Sequence, residues 1–108
     1  MKKESHFLYE FKEKVLQAWP GRIKSIALFG SRATGSARKD SDYDIFIMVD
    51  ERDRDLVDSI FDIAYDIYVK SNLKIDISPI IMSEEFFKNR LFQERRIAKE
   101  IAEQGIAL

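Results

Sequence analysis

Two aspartates at the mouth of an apolar run constrain this chain more than any other feature. Asp42 and Asp44 flank Tyr43 and lead directly into Ile45-Phe46-Ile47-Met48-Val49, which has the length and composition of a buried strand. Side chains alternate along a strand, so Asp42 and Asp44 point the same way. Two like charges held that close repel, at a cost that a cation between them removes. The ordinary alternative is a solvated turn in which Asp42 merely caps or leaves the preceding loop. That alternative accounts for Asp42 better than for Asp44, because the chain beyond Asp44 is already entering the core.

The residues upstream suit a phosphate. Ile23 to Phe29 reads as a first short strand, which breaks at Gly30-Ser31. Gly30 lets backbone N–H groups approach an anion with no side chain in the way. The Ser31 hydroxyl can donate as well, and a short helix starting near Ser31 turns its positive end toward the same place. Gly35 keeps the loop tight. Arg32, Arg38 and Lys39 offer cations to a triphosphate, though each is equally readable as a solvated loop charge; Arg32 is favoured for its place beside Ser31. The loop lacks the Gly-Lys-Ser/Thr close of a Walker P-loop and the Gly-x-Gly-x-x-Gly of dinucleotide folds.

A third acid, Asp76, sits within Leu73-Lys74-Ile75-Asp76-Ile77, where alternate residues are apolar. An unpaired buried carboxylate costs roughly several kcal/mol, so an acid there wants a cation or a donor. Asp76 completes a three-carboxylate cluster if its strand lies beside the Tyr43–Val49 strand. Otherwise it pairs with a lysine or arginine, or faces solvent from the open side of the sheet. Magnesium takes one or two carboxylates together with substrate phosphate oxygens, which matches the pair Asp42 and Asp44. The combination points to metal-dependent chemistry on a nucleotide.

Around this centre the pattern predicts helices and strands in alternation. Ser5 is placed to cap a first helix with Leu8, Phe11, Val15 and Ala18/Trp19 on its buried face, ended by Trp19-Pro20-Gly21. Tyr43 to Val49 is the second strand. A long helix is expected over about Asp53 to Ser71, with Leu56, Ile60, Ile63/Ala64 and Ile67 at helical spacing and Asn72 closing it. The third strand is expected over Leu73 to Ile81, where Pro79 marks an edge or a strand end. Ser83 is placed to cap a C-terminal helical region with Ile97, Ala98, Ile101 and Ala102 as its stripe and Gly105 as its stop. The order predicts an α/β sandwich, a small sheet with helices packed on it, and leaves strand directions open. Asp55, Asp58, Asp62 and Asp66 run down the long helix, either as a solvated face or as a docking stripe for a basic partner.

Composition narrows the function classes. The 108 residues fit one domain, and the 45% apolar and 12% aromatic fractions fit a folded core. A formal charge of -1 gives no general attraction to nucleic acid, so no direct nucleic-acid binding is expected. Absence of cysteine excludes disulfides, thiolate zinc sites and a cysteine nucleophile, and the single histidine, His6, reads as a surface residue. No stretch has the length of a membrane span, and the N-terminus lacks the apolar centre of a signal peptide, so a soluble cytoplasmic protein is expected.

Gly30-Ser31, ten intervening residues and Asp42-x-Asp44 resemble the signature of the nucleotidyltransferase superfamily that includes DNA polymerase beta. Compact length, the GSRATG start, Ser41 before the first aspartate, the late single Asp76 and the ending Ala102-Glu103-Gln104-Gly105-Ile106 are similar to the minimal nucleotidyltransferases of that superfamily. The resemblance spans essentially the whole chain. It implies a polymerase beta-like fold, a small mixed sheet flanked by helices. It also implies that Asp42 and Asp44 bind two Mg2+ ions, with Asp76 binding one of them and helping to activate the acceptor hydroxyl. Gly30, Ser31 and Arg32 would be nucleotide-binding, with Gly30 and Ser31 on the β- and γ-phosphates. The reaction implied is in-line attack on the α-phosphorus of ATP with loss of pyrophosphate.

Minimal members often accompany a HEPN-domain ribonuclease toxin and neutralise it as MntA-like antitoxins, by placing AMP on a toxin tyrosine. The resemblance therefore implies a HEPN toxin as partner in a type VII-like toxin–antitoxin pair. With no additional acceptor-binding domain, the chain is expected to take its acceptor from a partner protein or an oligomer. Two other readings compete. One is a non-catalytic antitoxin that blocks its partner by binding, against which the repelling acids argue. The other is a small-molecule transferase of the aminoglycoside-modifying kind, which the absent acceptor domain disfavours.

Overall fold

The computed structural model describes residues 3–35, 37–38, 41–92, 101–103 and 105–108, with the side chains of 3–5 and 90–92 outside the description. The expected stripe residues Ile97 and Ala98, and the loop residue Lys39, lie outside the described residues. The elements run α1 (Lys3–Ala18), β1 (Ile23–Phe29), α2 (Ser31–Thr34), β2 (Tyr43–Val49), α3 (Arg54–Lys70), β3 (Ile77–Ser83), α4 (Glu84–Phe92) and β4 (Ile106–Ala107). Residues 101–103 are also helical.

The sheet order is β3-β2-β1-β4. β1 is antiparallel to both β2 and β4, while β2 and β3 run parallel. The expected α/β sandwich is therefore a mixed four-stranded sheet. Central β2 is covered on both sides, which explains why it reads as a nearly continuous apolar run. Tyr43, Ile45, Ile47 and Val49 face the layer made by α1 and α3, where Phe11, Val15, Leu56, Ile60 and Ile67 are fully buried. Burying each of the large side chains in that layer contributes roughly 1.5–3 kcal/mol. Phe46 faces the other side with Phe29, Met82 and Ile101, and its ring lies 4.9 Å from that of Phe87 on α4.

Local chemistry sets the boundaries. The Asp53 carboxylate caps α3 by accepting from the Leu56 N–H at 2.9 Å. At the other end, Leu73 N–H donates to Tyr68 C=O at 2.8 Å and Asn72 N–H to Val69 C=O at 3.1 Å. This is a Schellman close, and it holds both Asn72 and Leu73 at positive φ, 62° and 63°. Ser83 caps α4 by accepting from the Phe86 N–H at 3.1 Å.

Four expectations need correction. Helix α1 starts at Lys3 rather than at a Ser5 cap. The third strand starts at Ile77, not Leu73, because the Schellman close occupies 72–73 and the Ser71 hydroxyl captures the Ile75 N–H at 2.9 Å. Asp76 consequently precedes β3 instead of lying inside it. The C-terminal stripe holds in part, with Ile101 buried and Ala102 exposed. Past Gly105 the chain forms β4, which was not expected. Pro79 sits in β3 where an edge strand tolerates it. Among the described residues no helix is long and apolar enough to cross a membrane.

Candidate active site

The sheet topology brings three chain segments to one end of the molecule. β1 finishes there at Phe29, β2 begins there opposite it, and β3, parallel to β2, begins there too. Gly30, Ser31, Asp42, Asp44 and Asp76 all flank these ends.

Gly30 stands at φ 72°, ψ −156°, a region essentially confined to glycine. A second constraint is spatial, since a Cβ on Gly30 would overlap the Asp44 carboxylate oxygen Oδ2. Glycine is therefore what allows Asp44 to lie against the end of β1. The four residues of α2 follow with no side-chain cap, so the first-turn N–H groups beside Ser31 carry no capping bond. So short a helix has little dipole, and what it offers an anion is mainly those N–H groups and the Ser31 hydroxyl.

Asp44 pairs in register with Phe29 of β1 and Ser78 of β3, and is half-buried on the face that carries Phe46. Burial, and next the Asp42 charge, push its pKa above the ordinary aspartate range. The backbone carbonyl of Asp76 accepts from the Tyr43 N–H at 2.8 Å, which lays Asp76 alongside the start of β2. The Asp76 pKa is also raised, first by burial, then by the Asp42 charge and by hydrogen bonding to the Asp42 side chain. Asp76 is exposed as a residue, and Asp44 is the more enclosed of the two.

Asp42 is thus the common neighbour of Asp44 and Asp76. Although β3 does lie beside β2, the expected three-carboxylate cluster is not closed: among the described residues no group of three His, Cys, Asp or Glu side chains is gathered closely enough to hold a metal ion by itself. The donors nevertheless fit a hard divalent cation, since they are carboxylate oxygens whose like charges raise one another's pKa. Magnesium needs only one or two of them when phosphate and water fill its other positions.

The guanidinium of Arg32 is directed at the loop. Its Nε and Nη2 donate to the Ser41 carbonyl at 3.2 and 2.9 Å, and its Cζ lies 4.3 Å from the centre of the Tyr43 ring. That ring is on the opposite face of β2 from the Asp44 carboxylate. Ser41 also exchanges two bonds with Arg38: its N–H donates to Arg38 C=O at 3.0 Å, and its hydroxyl accepts from Arg38 N–H at 2.8 Å. Sequence reasoning did not find this latch, which fixes the residue before Asp42. Its one legible signal was a small hydroxyl residue closing a polar loop immediately before a strand. His6 is exposed, as expected.

The model of the nucleotidyltransferase domain family matches residues 8–104. A protein of Methanocaldococcus jannaschii, provisionally named a protein adenylyltransferase, is 38% identical over 90 residues, 82% of each chain. Among solved structures, a toxin–antitoxin crystallised with AMP-PNP gives a TM-score of 0.59 at 18% identity, over 98% of this chain and 72% of that one. A mutant of the toxin–antitoxin MntA-HpeT gives 0.58 at 19% identity, over 93% of this chain and 70% of that one. A protein of Sulfolobus solfataricus, provisionally named a nucleotidyltransferase, gives 0.54 at 19%, over 94% and 76%. At such identities the structural likenesses speak for the fold.

Proposed function

We propose that this chain, which belongs to the nucleotidyltransferase domain family, transfers AMP from ATP to a hydroxyl of a partner protein. The acceptor would be a tyrosine of a HEPN toxin, and the chain would act as that toxin's antitoxin. The observation that carries the reading is the convergence of the end of β1 with the starts of β2 and β3, which brings Asp42, Asp44 and Asp76 to one end of the sheet beside a turn that only glycine can form. Support for a protein acceptor comes from the protein adenylyltransferase name of the 38% identical relative. Support for the toxin partner is the fold shared with the two toxin–antitoxin structures.

Asp42 and Asp44 would hold two magnesium ions against the triphosphate, with Asp76 on one of them, and these would neutralise charge at the reacting phosphoryl group. Gly30 and the N–H groups of the first α2 turn would receive the β- and γ-phosphates, joined by the Ser31 hydroxyl. Arg32, by holding Ser41 and stacking on Tyr43, would keep Asp42 and Asp44 in register; direct contact with phosphate would require it to leave those partners. The acceptor oxygen bonds to the α-phosphorus as the bond to the bridging oxygen breaks and pyrophosphate leaves. Asp76, on one of the two ions, would help to activate the acceptor hydroxyl, whose proton is lost as its oxygen bonds to phosphorus.

Label transfer from α-labelled ATP with magnesium into host lysate tests the reading. A labelled protein band is expected with the wild type and is lost in Asp42→Asn/Asp44→Asn. A partner neutralised equally well by both forms, with no label on any protein, would favour neutralisation by binding alone. Label on a small acceptor instead would favour the small-molecule transferase.

A further inference from the structure

The outward face of α3 bears a feature that the transfer reaction does not use. Phe61, Tyr65 and Val69 follow at four-residue spacing and are 49%, 64% and 51% exposed. Leu73, just beyond the helix, is 61% exposed. At about 100° per residue the three helical side chains fall on one stripe, and Tyr68 flanks it with its ring 6.4 Å from that of Tyr65. Single exposed apolar residues are ordinary on a protein surface, but three aligned on one helix face, with a fourth just past its end, point to a contact surface.

Asp58, Asp62 and Asp66 run beside this row at the same spacing and are all exposed. Arg54 meets Asp58 at 3.7 Å, whereas among the described residues neither Asp62 nor Asp66 has an ion-pair partner. The face is therefore an apolar ridge with an acidic flank. A second copy fits it poorly, because antiparallel pairing of like faces puts both acidic flanks on the same side and parallel pairing sets neither against a basic row. A basic amphipathic helix fits both halves.

Placement gives the face a purpose. Because β2 and β3 run parallel from the same end, α3 must return the chain to that end, so Val69 and Leu73 lie toward Asp76 and the acidic centre. We propose that the outward face of α3 docks a basic amphipathic helix of the acceptor protein and so delivers its hydroxyl to the Asp42, Asp44 and Asp76 end. The proposal rests on the protein-acceptor reading above.

Two measurements on the full chain test it. The first titrates the isotopically labelled chain with a Lys/Leu amphipathic helical peptide. Chemical-shift changes are expected across residues 58–73, with affinity falling at least tenfold in Asp62→Lys/Asp66→Lys. That variant should instead take a Glu/Leu peptide of the same pattern, which also reports that it folds, and Asp42→Asn should bind the Lys/Leu peptide like wild type. No binding, shifts centred elsewhere, equal binding of both peptides by wild type, or self-association lost in Tyr65→Ser would each overturn the proposal. The second repeats label transfer in lysate with Tyr65→Ser and Asp62→Lys/Asp66→Lys, where at least tenfold less labelled protein is expected. Undiminished labelling in these variants sinks the docking face and leaves protein transfer standing. Selective peptide binding with no protein labelled by wild type leaves the docking face standing and sinks protein transfer.

Discussion

Gly30 and Asp44 occupy a space that admits only one side chain. Gly30→Ala would place a Cβ against the Asp44 carboxylate and hold an L residue at φ 72°, ψ −156°. Such backbone strain alone costs about 1–3 kcal/mol. The expected outcome is a lowered urea midpoint with an unchanged slope, and loss of transfer out of proportion to the fraction unfolded. Wild-type transfer in a folded Gly30→Ala variant would remove Gly30 from the site. Asp44 gives a pH prediction. Its folded pKa is raised, so between the ordinary aspartate value of about 3.9 and that raised value the folded state holds the proton more tightly than the unfolded chain. Stability therefore falls as pH rises through that window. Asp50 and Asp53 act oppositely, their pKa values being lowered, chiefly by the Arg22 hydrogen bond at Asp50 and by the Leu56 N–H at Asp53. The measurement is thus a difference, wild type minus Asp44→Asn, which should decline with rising pH; a flat or rising difference contradicts it. At this scale the arrival of Asp42 and Asp44 at the start of a buried strand was legible because acids beside apolar runs are chemically conspicuous. Asp76, which the pattern places inside a strand, stands exposed just before one. The direction of Arg32 was not legible, since it depends on where the Ser41 carbonyl falls.

Among the elements, β1 and β2 stand where their apolar runs place them, residue for residue, because each run is broken sharply at its ends. The stretch 71–76 deceived the pattern for a physical reason. Leu73, Ile75 and Ile77 alternate like a strand, but only Ile75 and Ile77 are buried, while Leu73 closes the helix at φ 63°. β4 was illegible because two residues carry no period, and only its pairing with Ala27 and Leu28 defines it. The helix close leads to a prediction in which stability and docking part company. A left-handed conformation costs a non-glycine residue roughly 1–2 kcal/mol, partly offset in a glycine variant by the about 0.5–1 kcal/mol entropy of ordering it. Leu73 is mostly exposed, so its removal forfeits little burial. Leu73→Gly is expected to raise the unfolding free energy by about 0.5–1 kcal/mol while weakening the Lys/Leu peptide. A lowered denaturation midpoint would show instead that the Leu73 side chain supports the fold.

For the molecule as a whole, the mixed sheet is what concentrates chemistry at one end. An antiparallel partner on one side of β2 brings in the end of β1, and a parallel partner on the other brings in the start of β3. Had β3 paired antiparallel, Asp76 would lie a strand length away from Asp42. The opposite end is closed by Arg22, which donates to Asp50 at 3.0 Å, Asp53 at 2.9 Å and the Glu51 carbonyl at 2.7 Å. One end is thus internally compensated, while at the other no ion pair to Asp42, Asp44 or Asp76 is found among the described residues. If the proposed site is right, the folded state should respond to ligands of the carboxylate end. A ligand that binds only the folded chain at about 100 times its dissociation constant adds about 2.7 kcal/mol. For a domain near this size each kcal/mol raises the melting temperature by about 4–8 °C. Magnesium with a non-hydrolysable ATP analogue is therefore expected to raise the melting temperature by roughly 10 °C or more at saturation. The rise should exceed the sum of the two ligands added separately if, as proposed, phosphate oxygens complete a magnesium coordination that Asp42 and Asp44 begin. Asp42→Asn/Asp44→Asn should abolish the excess and leave any magnesium-independent part. Equal shifts in wild type and the double variant would place the nucleotide elsewhere on the molecule.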